Sequence, residues 1–166
     1  MLLIDRMIDY FAGDPKRIQH FLKVHAFAKL IGELEGLGRE EQAILELAAI
    51  VHDVGIKASE EKYDSKAGHY QELEGPPIAR QMLEELNYGP DIIDRVCFLV
   101  AHHHTYTNID KADYQILVEA DFLVNIHEGN LPHTPAEKIY ANIFRSKSGR
   151  RIFERMYGVA PNTQAR

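Results

Sequence analysis

Apolar residues recur at spacings of three and four along almost the whole chain, and strict alternation of apolar and polar residues never persists beyond a few positions. The first pattern is typical of helices that bury one face, and alternation is typical of half-buried strands. Turn residues divide the pattern: Asp14 and Pro15 can begin a helix, and Gly36 can end it. The sequence therefore predicts an all-α protein, a single-domain helical bundle of about seven or eight helices.

Residues 56–74 interrupt the helical pattern. This stretch is polar and charged and has no sustained apolar stripe, so we expect a long loop there, with the next helix beginning at Pro76. Long loops in compact domains are frequently functional. We therefore expect the 56–74 loop to lie over a site.

Composition and charge limit the classes of function. A chain of 166 residues with 45% hydrophobic content can bury one substantial core, so residues 1–166 are expected to form one domain. The net charge of −6 argues against duplex nucleic acid or an anionic membrane as the main partner. The N-terminal apolar run is broken by charged residues, and the single cysteine, Cys97, fits a reducing compartment, so a cytoplasmic protein is expected. Nothing in the sequence distinguishes a monomer from an oligomer.

Four predicted helices carry an ionisable residue at a position where the apolar stripe predicts a buried side chain. These residues are His25, His52, His103 and Asp121. An unpaired buried carboxylate costs several kcal/mol, whereas a folded protein is stable by only about 5–15 kcal/mol. These groups must therefore be compensated.

A shared divalent cation is the simplest compensation, because no lysine or arginine lies on the four stripes. Imidazole nitrogens and carboxylate oxygens bind such ions, and a mixed set accepts Fe, Mn, Zn, Ni or Mg. His52 and Asp53 would point about 100° apart in a regular helix, but they lie just before Gly55, where the chain can unwind and bring them together. Four other histidines are not expected to be ligands: His20, His69, His127 and His133.

The ordered set of His25, the doublet His52-Asp53 and Asp121 resembles the HD-domain superfamily of metal-dependent phosphohydrolases. The resemblance covers about residues 18–128 and includes the histidine run at 102–104. It implies that His25, His52, Asp53 and Asp121 are metal ligands, that His102 and His103 are further ligands, and that one or two ions are bound per chain. Many relatives have another histidine four residues before a glycine, and this chain has Gln71 before Gly75. No Gly-Tyr-Pro motif follows the histidine run, which argues against cleavage of cyclic dinucleotides.

The resemblance also implies a reaction, the hydrolysis of a phosphate ester by metal-bound water. The substrate would be a nucleotide or another small phosphorylated metabolite. Besides Asp53, the candidate catalytic residues are His102 or His103 at the phosphate or leaving group, Lys57 at a non-bridging oxygen and Glu74 as proton acceptor. A solvated lysine and an acid at a helix N-terminus are the ordinary alternatives for Lys57 and Glu74. Two other functions stay open: an HD-type di-iron oxygenase, and a non-catalytic binding module stabilised by metal.

Overall fold

The computed structural model describes residues 2–131 and 133–159, which form nine α-helices and no strand. The helices are α1 (Leu3–Tyr10), α2 (Pro15–Glu35), α3 (Arg39–Val51), α4 (Ile56–Tyr63), α5 (Gly68–Glu85), α6 (Pro90–Val100), α7 (Ala112–His127), α8 (Ala136–Ile143) and α9 (Lys147–Tyr157). The predicted all-α, single-domain bundle is confirmed, with more helices than expected. Among the described helices, none has both the length and the apolar character needed to cross a bilayer.

Local sequence sets the ends of the long helix α2, as predicted. The Asp14 carboxylate accepts a hydrogen bond from the Arg17 backbone N–H at 3.1 Å, and Pro15 occupies the first helical position. At the other end Gly36 has φ of 76°, a left-handed conformation that is favourable for glycine. These two signals explain why α2 begins at Pro15 and ends at Glu35.

The core is built around α2, which makes the two most extensive helix–helix contacts of the described structure, with α3 and with α7, while α6 packs on α3 and α5. The buried face of α2 contains His20, Phe21, Val24, Ala28 and Ile31. His20 of α2 and Asp121 of α7 therefore meet inside the bundle.

The prediction of a long loop at residues 56–74 is wrong, because α4 and the first part of α5 occupy this segment. Pro76 and Pro77 lie inside α5 rather than at its start. The buried side of this part of α5 consists of Gln71, Glu74 and Gly75, which are polar or small. This part of the helix consequently has no apolar stripe that would reveal it in the sequence.

The turn after α3 and helix α5 are in backbone contact. A Cβ atom added to Gly55 would lie 2.4 Å from the Gln71 carbonyl oxygen and 2.7 Å from the Gly75 backbone nitrogen. A Cβ atom added to Gly75 would lie 2.6 Å from Cγ1 of Val100 on α6. Since only glycine fits at both positions, α5 lies directly against the turn that carries His52 and Asp53.

Candidate metal centre

Two histidines lie in turns that directly follow helices, His52 after α3 and His103 after α6. The Nδ1 atom of His52 is 2.9 Å from the Ala49 carbonyl oxygen, and Nδ1 of His103 is 2.8 Å from the Val100 carbonyl oxygen. Because a carbonyl oxygen only accepts, Nδ1 must be the protonated nitrogen in each ring. Both rings therefore present Nε2 to the interior of the protein.

His20 brings a third imidazole to the same place from the second turn of α2. Its Nε2 atom is 3.3 Å from Nε2 of His52 and 3.1 Å from Oδ1 of Asp121. Its Nδ1 atom is 2.8 Å from Oε2 of Glu128. The Glu128 carboxylate accepts this hydrogen bond, so His20 also presents Nε2 to the cluster.

Asp53 and Asp121 complete the cluster. Oδ2 of Asp53 is 3.3 Å from Nε2 of His20 and 3.4 Å from Nε2 of His52, and its Oδ1 is 3.4 Å from Nε2 of His103. The adjacent His52 and Asp53 converge because residues 52–55 form a turn, in which the N–H of Ile56 donates to the Asp53 carbonyl. This unwinding before Gly55 is the arrangement that the sequence predicted.

The donor atoms fit a divalent metal ion. They form two groups that share Asp53: one consists of His20, His52 and Asp53, and the other of Asp53, His103 and His104. Within each group, the ligand atoms, one from each residue, lie within 4.8 Å of one another. With metal–ligand bonds of roughly 2.1 Å, neighbouring ligand atoms lie about 3.0–3.4 Å apart, which is close to the spacings seen here. In neutral rings the Nε2 lone pairs would face carboxylate oxygens, an arrangement that is repulsive unless a metal ion or a proton is shared. The buried Nε2 atoms of His103 and His104 also have no hydrogen-bond partner among the described residues.

Without a metal, protons supply part of the missing positive charge. Burial alone would lower the pKa of His52, but the negative charge of Asp53 and hydrogen bonds to both aspartates raise this pKa well above its ordinary value. Burial would likewise raise the pKa of Asp53, but His52 and His103 hold it well below the usual range. By contrast, burial and the neighbouring His103 lower the pKa of His104 to about 4, so that this ring is neutral near pH 7.

A cavity of about 540 Å³ adjoins the cluster, and it is lined by His20, Asp53, His104 and Asp121. Three basic residues also line it, Lys16 and Arg17 at the start of α2 and Lys66 between α4 and α5. The remaining lining residues are Asp14, Ile56, Gln71, Tyr106, Phe122, Asn125, Glu128, Asn130 and Leu131. The cavity therefore combines the metal-binding donors with positive charge and an apolar, aromatic surface.

The structure does not bring His25 to the cluster, contrary to the expectation from the sequence. Nε2 of His25 is 3.3 Å from Oε2 of Glu46. His20 and His25 are five residues apart and point about 140° apart around α2. The stripe used in the sequence analysis selected the neighbouring face of this helix, and His20 is the residue that it missed.

The structure also separates His102 from the cluster. Its Nδ1 atom is 2.7 Å from the Phe98 carbonyl oxygen, and its ring stacks on Phe98 with centroids 4.3 Å apart. Of the three consecutive histidines, His103 and His104 contribute to the donor groups. The turn after α6 directs His102 to a different side.

Lys57 and Glu74 do not line the cavity, so the structure gives no support to their predicted catalytic roles. The Lys57 ammonium lies 5.4 Å from the ring centroid of Tyr10, on the side of α1. The Glu74 carboxylate accepts hydrogen bonds from Lys62 and from the Tyr63 hydroxyl, the latter at 2.8 Å. Both predictions assumed a loop, whereas a helical backbone directs these side chains elsewhere.

Comparison with known proteins agrees with this geometry. A family model described as the HD domain matches residues 17–143, which is more than half of the chain. The match begins before His20 and ends after Asp121, so it includes every residue of the donor cluster. No curated protein and no solved structure matches the chain.

Proposed function

Because the chain belongs to the HD domain family, we propose that it is a metal-dependent phosphohydrolase. Its substrate is a phosphate ester of a nucleotide or of another small phosphorylated metabolite. The observation that carries the proposal is a cluster of imidazole and carboxylate donors beside a cavity lined by three basic residues. Positive charge next to a metal-binding cluster suits an anionic substrate.

The cluster can hold one or two ions. His20, His52 and Asp121 would bind one ion together with Asp53, and His103 and His104 would bind a second through the other Asp53 oxygen. A divalent ion bound there lowers the pKa of coordinated water and polarises a phosphoryl oxygen. The protein's contribution is to hold the donor atoms in fixed positions.

The basic residues at the cavity would bind and orient the phosphate. Nη2 of Arg17 is 2.7 Å from Oε1 of Glu60, and Nζ of Lys66 is 3.2 Å from the same oxygen. Glu60 therefore holds both cations side by side at the cavity. Lys16 adds a third positive charge, and charged hydrogen bonds of this kind fix a phosphate group in place.

The apolar and aromatic part of the cavity lining would contact the organic part of the ester. Tyr106 and Phe122 pack edge to face with ring centroids 5.1 Å apart, and Leu131 also lines the cavity. Apolar and aromatic surface of this kind contributes most of the contact area in small-molecule sites and displaces water from them. The phosphate would thus be placed at the donor cluster, with the alcohol portion against this wall.

The test is activity and metal content measured on the same preparation. Protein purified without chelator or affinity tag is analysed for bound elements and then assayed against a panel of nucleotides and generic phosphate esters. Asp53→Ala is expected to lower kcat/KM by more than the roughly 10–100-fold typical of residues that only support metal ligands. Asp9→Ala removes an exposed carboxylate on α1 and is the matched control. Activity that survives Asp53→Ala unchanged would refute the proposal.

A di-iron oxygenase is a second candidate, because the two oxygens of Asp53 face two separate donor groups, as a residue shared by two irons would. It predicts two irons per chain, an iron-dependent visible absorption and no phosphate release from the panel. A non-catalytic module predicts a closed coordination sphere around a structural ion. The cavity beside the donor cluster argues against that third possibility.

A further inference from the structure

Glu128 follows α7 and connects the donor cluster to its surroundings. Its Oε2 atom accepts a hydrogen bond from Nδ1 of His20 at 2.8 Å, and its Oε1 atom is 2.6 Å from Nζ of Lys23. The Glu128 side chain is only 9% exposed. One buried carboxylate thus divides its two oxygens between an imidazole of the cluster and a lysine.

His20 differs from His52 and His103 in what it can use as a partner. His52 and His103 follow helix ends, where backbone carbonyls are left without helical partners and accept from Nδ1. His20 lies within α2, where the backbone carbonyls are engaged in the helix itself. The acceptor for its Nδ1 must therefore come from a side chain of another segment.

We propose that Glu128 is a positioning residue, which fixes the ring orientation and the protonated nitrogen of His20 so that Nε2 is available to a metal ion. This inference rests on the metal site of the proposed function. A carboxylate behind a metal-binding histidine holds its tautomer and makes it a stronger ligand. Lys23 compensates the charge of Glu128, which allows the carboxylate to stay ionised while buried.

The main experiment measures metal binding directly. Chelator-treated wild-type protein, Glu128→Ala and Glu128→Gln are titrated with zinc in a calorimeter. Glu128→Ala is expected to bind zinc roughly 10–100-fold more weakly than the wild type. The zinc affinity of Glu128→Gln is expected to lie between those of the wild type and Glu128→Ala, since the amide oxygen still accepts a hydrogen bond from Nδ1 of His20 but carries no charge. In the zinc-loaded protein, the Nδ1–H proton resonance of His20 is expected to move upfield in Glu128→Ala.

Two matched controls separate this role from simple packing. Glu46→Ala breaks another histidine–carboxylate pair, between His25 of α2 and Glu46 of α3, which lies outside the cluster. The zinc affinity of this variant should equal that of the wild type. Lys23→Met removes the ion pair to Glu128 but leaves the contact with His20. It should lower the free energy of unfolding and change zinc affinity much less than Glu128→Ala does.

Three outcomes would overturn the inference. The first is a zinc affinity of Glu128→Ala that equals that of the wild type. The second is a loss of zinc affinity in Lys23→Met as large as that in Glu128→Ala, which would mean that Glu128 only connects two segments of the chain. If Glu128→Ala does not fold, wild-type affinity in Glu128→Gln is decisive in the same way. In each case the wild type would still bind zinc and release phosphate, so the proposed function would stand, whereas a wild type that binds no metal would remove both.

Discussion

Replacing Gly55 by alanine tests whether the backbone contact between the turn after α3 and helix α5 is as close as the structure shows. The new Cβ atom would lie 2.4 Å from the Gln71 carbonyl oxygen and 3.0 Å from the Gly75 Cα atom. Both neighbours are backbone atoms, so a side-chain rotation cannot relieve the overlap. The φ angle of −72° suits alanine, and steric overlap is therefore the main cost.

The expected magnitude follows from this geometry. Overpacking in a well-packed interior costs about 1–3 kcal/mol, and contact with rigid backbone on both sides places Gly55→Ala in the upper part, at about 2–3 kcal/mol. For a chain of this size, each kcal/mol lowers Tm by roughly 2–4 °C. The variant is therefore expected to melt about 4–12 °C below the wild type.

Gly38→Ala is the matched control. Gly38 also precedes a helix, α3, has φ of −61°, and a Cβ atom there would meet no atom within 4 Å. Losing glycine at this position costs less than about 1 kcal/mol. Urea denaturation of both variants gives the difference in unfolding free energy. If Gly55→Ala is as stable as Gly38→Ala, the close crossing of α5 over the turn is refuted.

Three further predictions concern the ion, the substrate and pH. A divalent ion at about 100 times its Kd should stabilise chelator-treated protein by about 2.7 kcal/mol, and a thermal shift that is equally large in Asp121→Ala would contradict the site. Lys66→Met should raise KM for a phosphorylated substrate severalfold, whereas Lys57→Met should leave KM unchanged. A raised KM in Lys57→Met together with an unchanged KM in Lys66→Met would contradict the proposal that substrate binds in this cavity. Burial raises the pKa of Glu46, but a hydrogen bond from Gln42 and nearby positive charge lower it below the ordinary value. Its stabilising contribution is therefore present above its unfolded pKa of about 4.3 and is lost as pH falls through the lower folded value. In urea denaturation the stability difference between wild type and Glu46→Gln should shrink on acidification, and a constant difference would contradict this.

From the sequence alone, we could predict those site residues that are polar or charged at positions where a buried apolar residue, or the end of a helix, is expected. His52, His103 and Asp121 lie where apolar residues are expected, and Asp53 adjoins a helix end, so their convergence could be anticipated. His20 could not be chosen over His25, because two overlapping apolar stripes run along α2 and both contain a histidine. The choice depends on how α2 packs against α3 and α7, which is a tertiary property.

The first part of helix α5 was not predicted, for a different reason. The buried side of its first turns consists of Gln71, Glu74 and Gly75, and a helical segment whose buried side is polar or small gives no periodic signal. Helix α4, in the same segment, was also not predicted, and this misplaced Lys57, because a lysine in a loop can reach a site that a lysine in a helix cannot. The packing of α5 against the turn at Gly55 depends on close backbone contact rather than on apolar side chains, so a hydrophobic pattern does not reveal it.

The hydrogen bonds from Nδ1 of His52 and His103 to their own helices limit how this centre can be redesigned. Each ring terminates a helix and offers a lone pair, and an aspartate exchanged for either would supply an oxygen for a harder ion but no N–H for the helix end. Engineers who wish to shift selectivity from nitrogen-preferring to oxygen-preferring ions should therefore leave these two positions alone. Gln71, which lines the cavity without capping any helix, is the better position to vary.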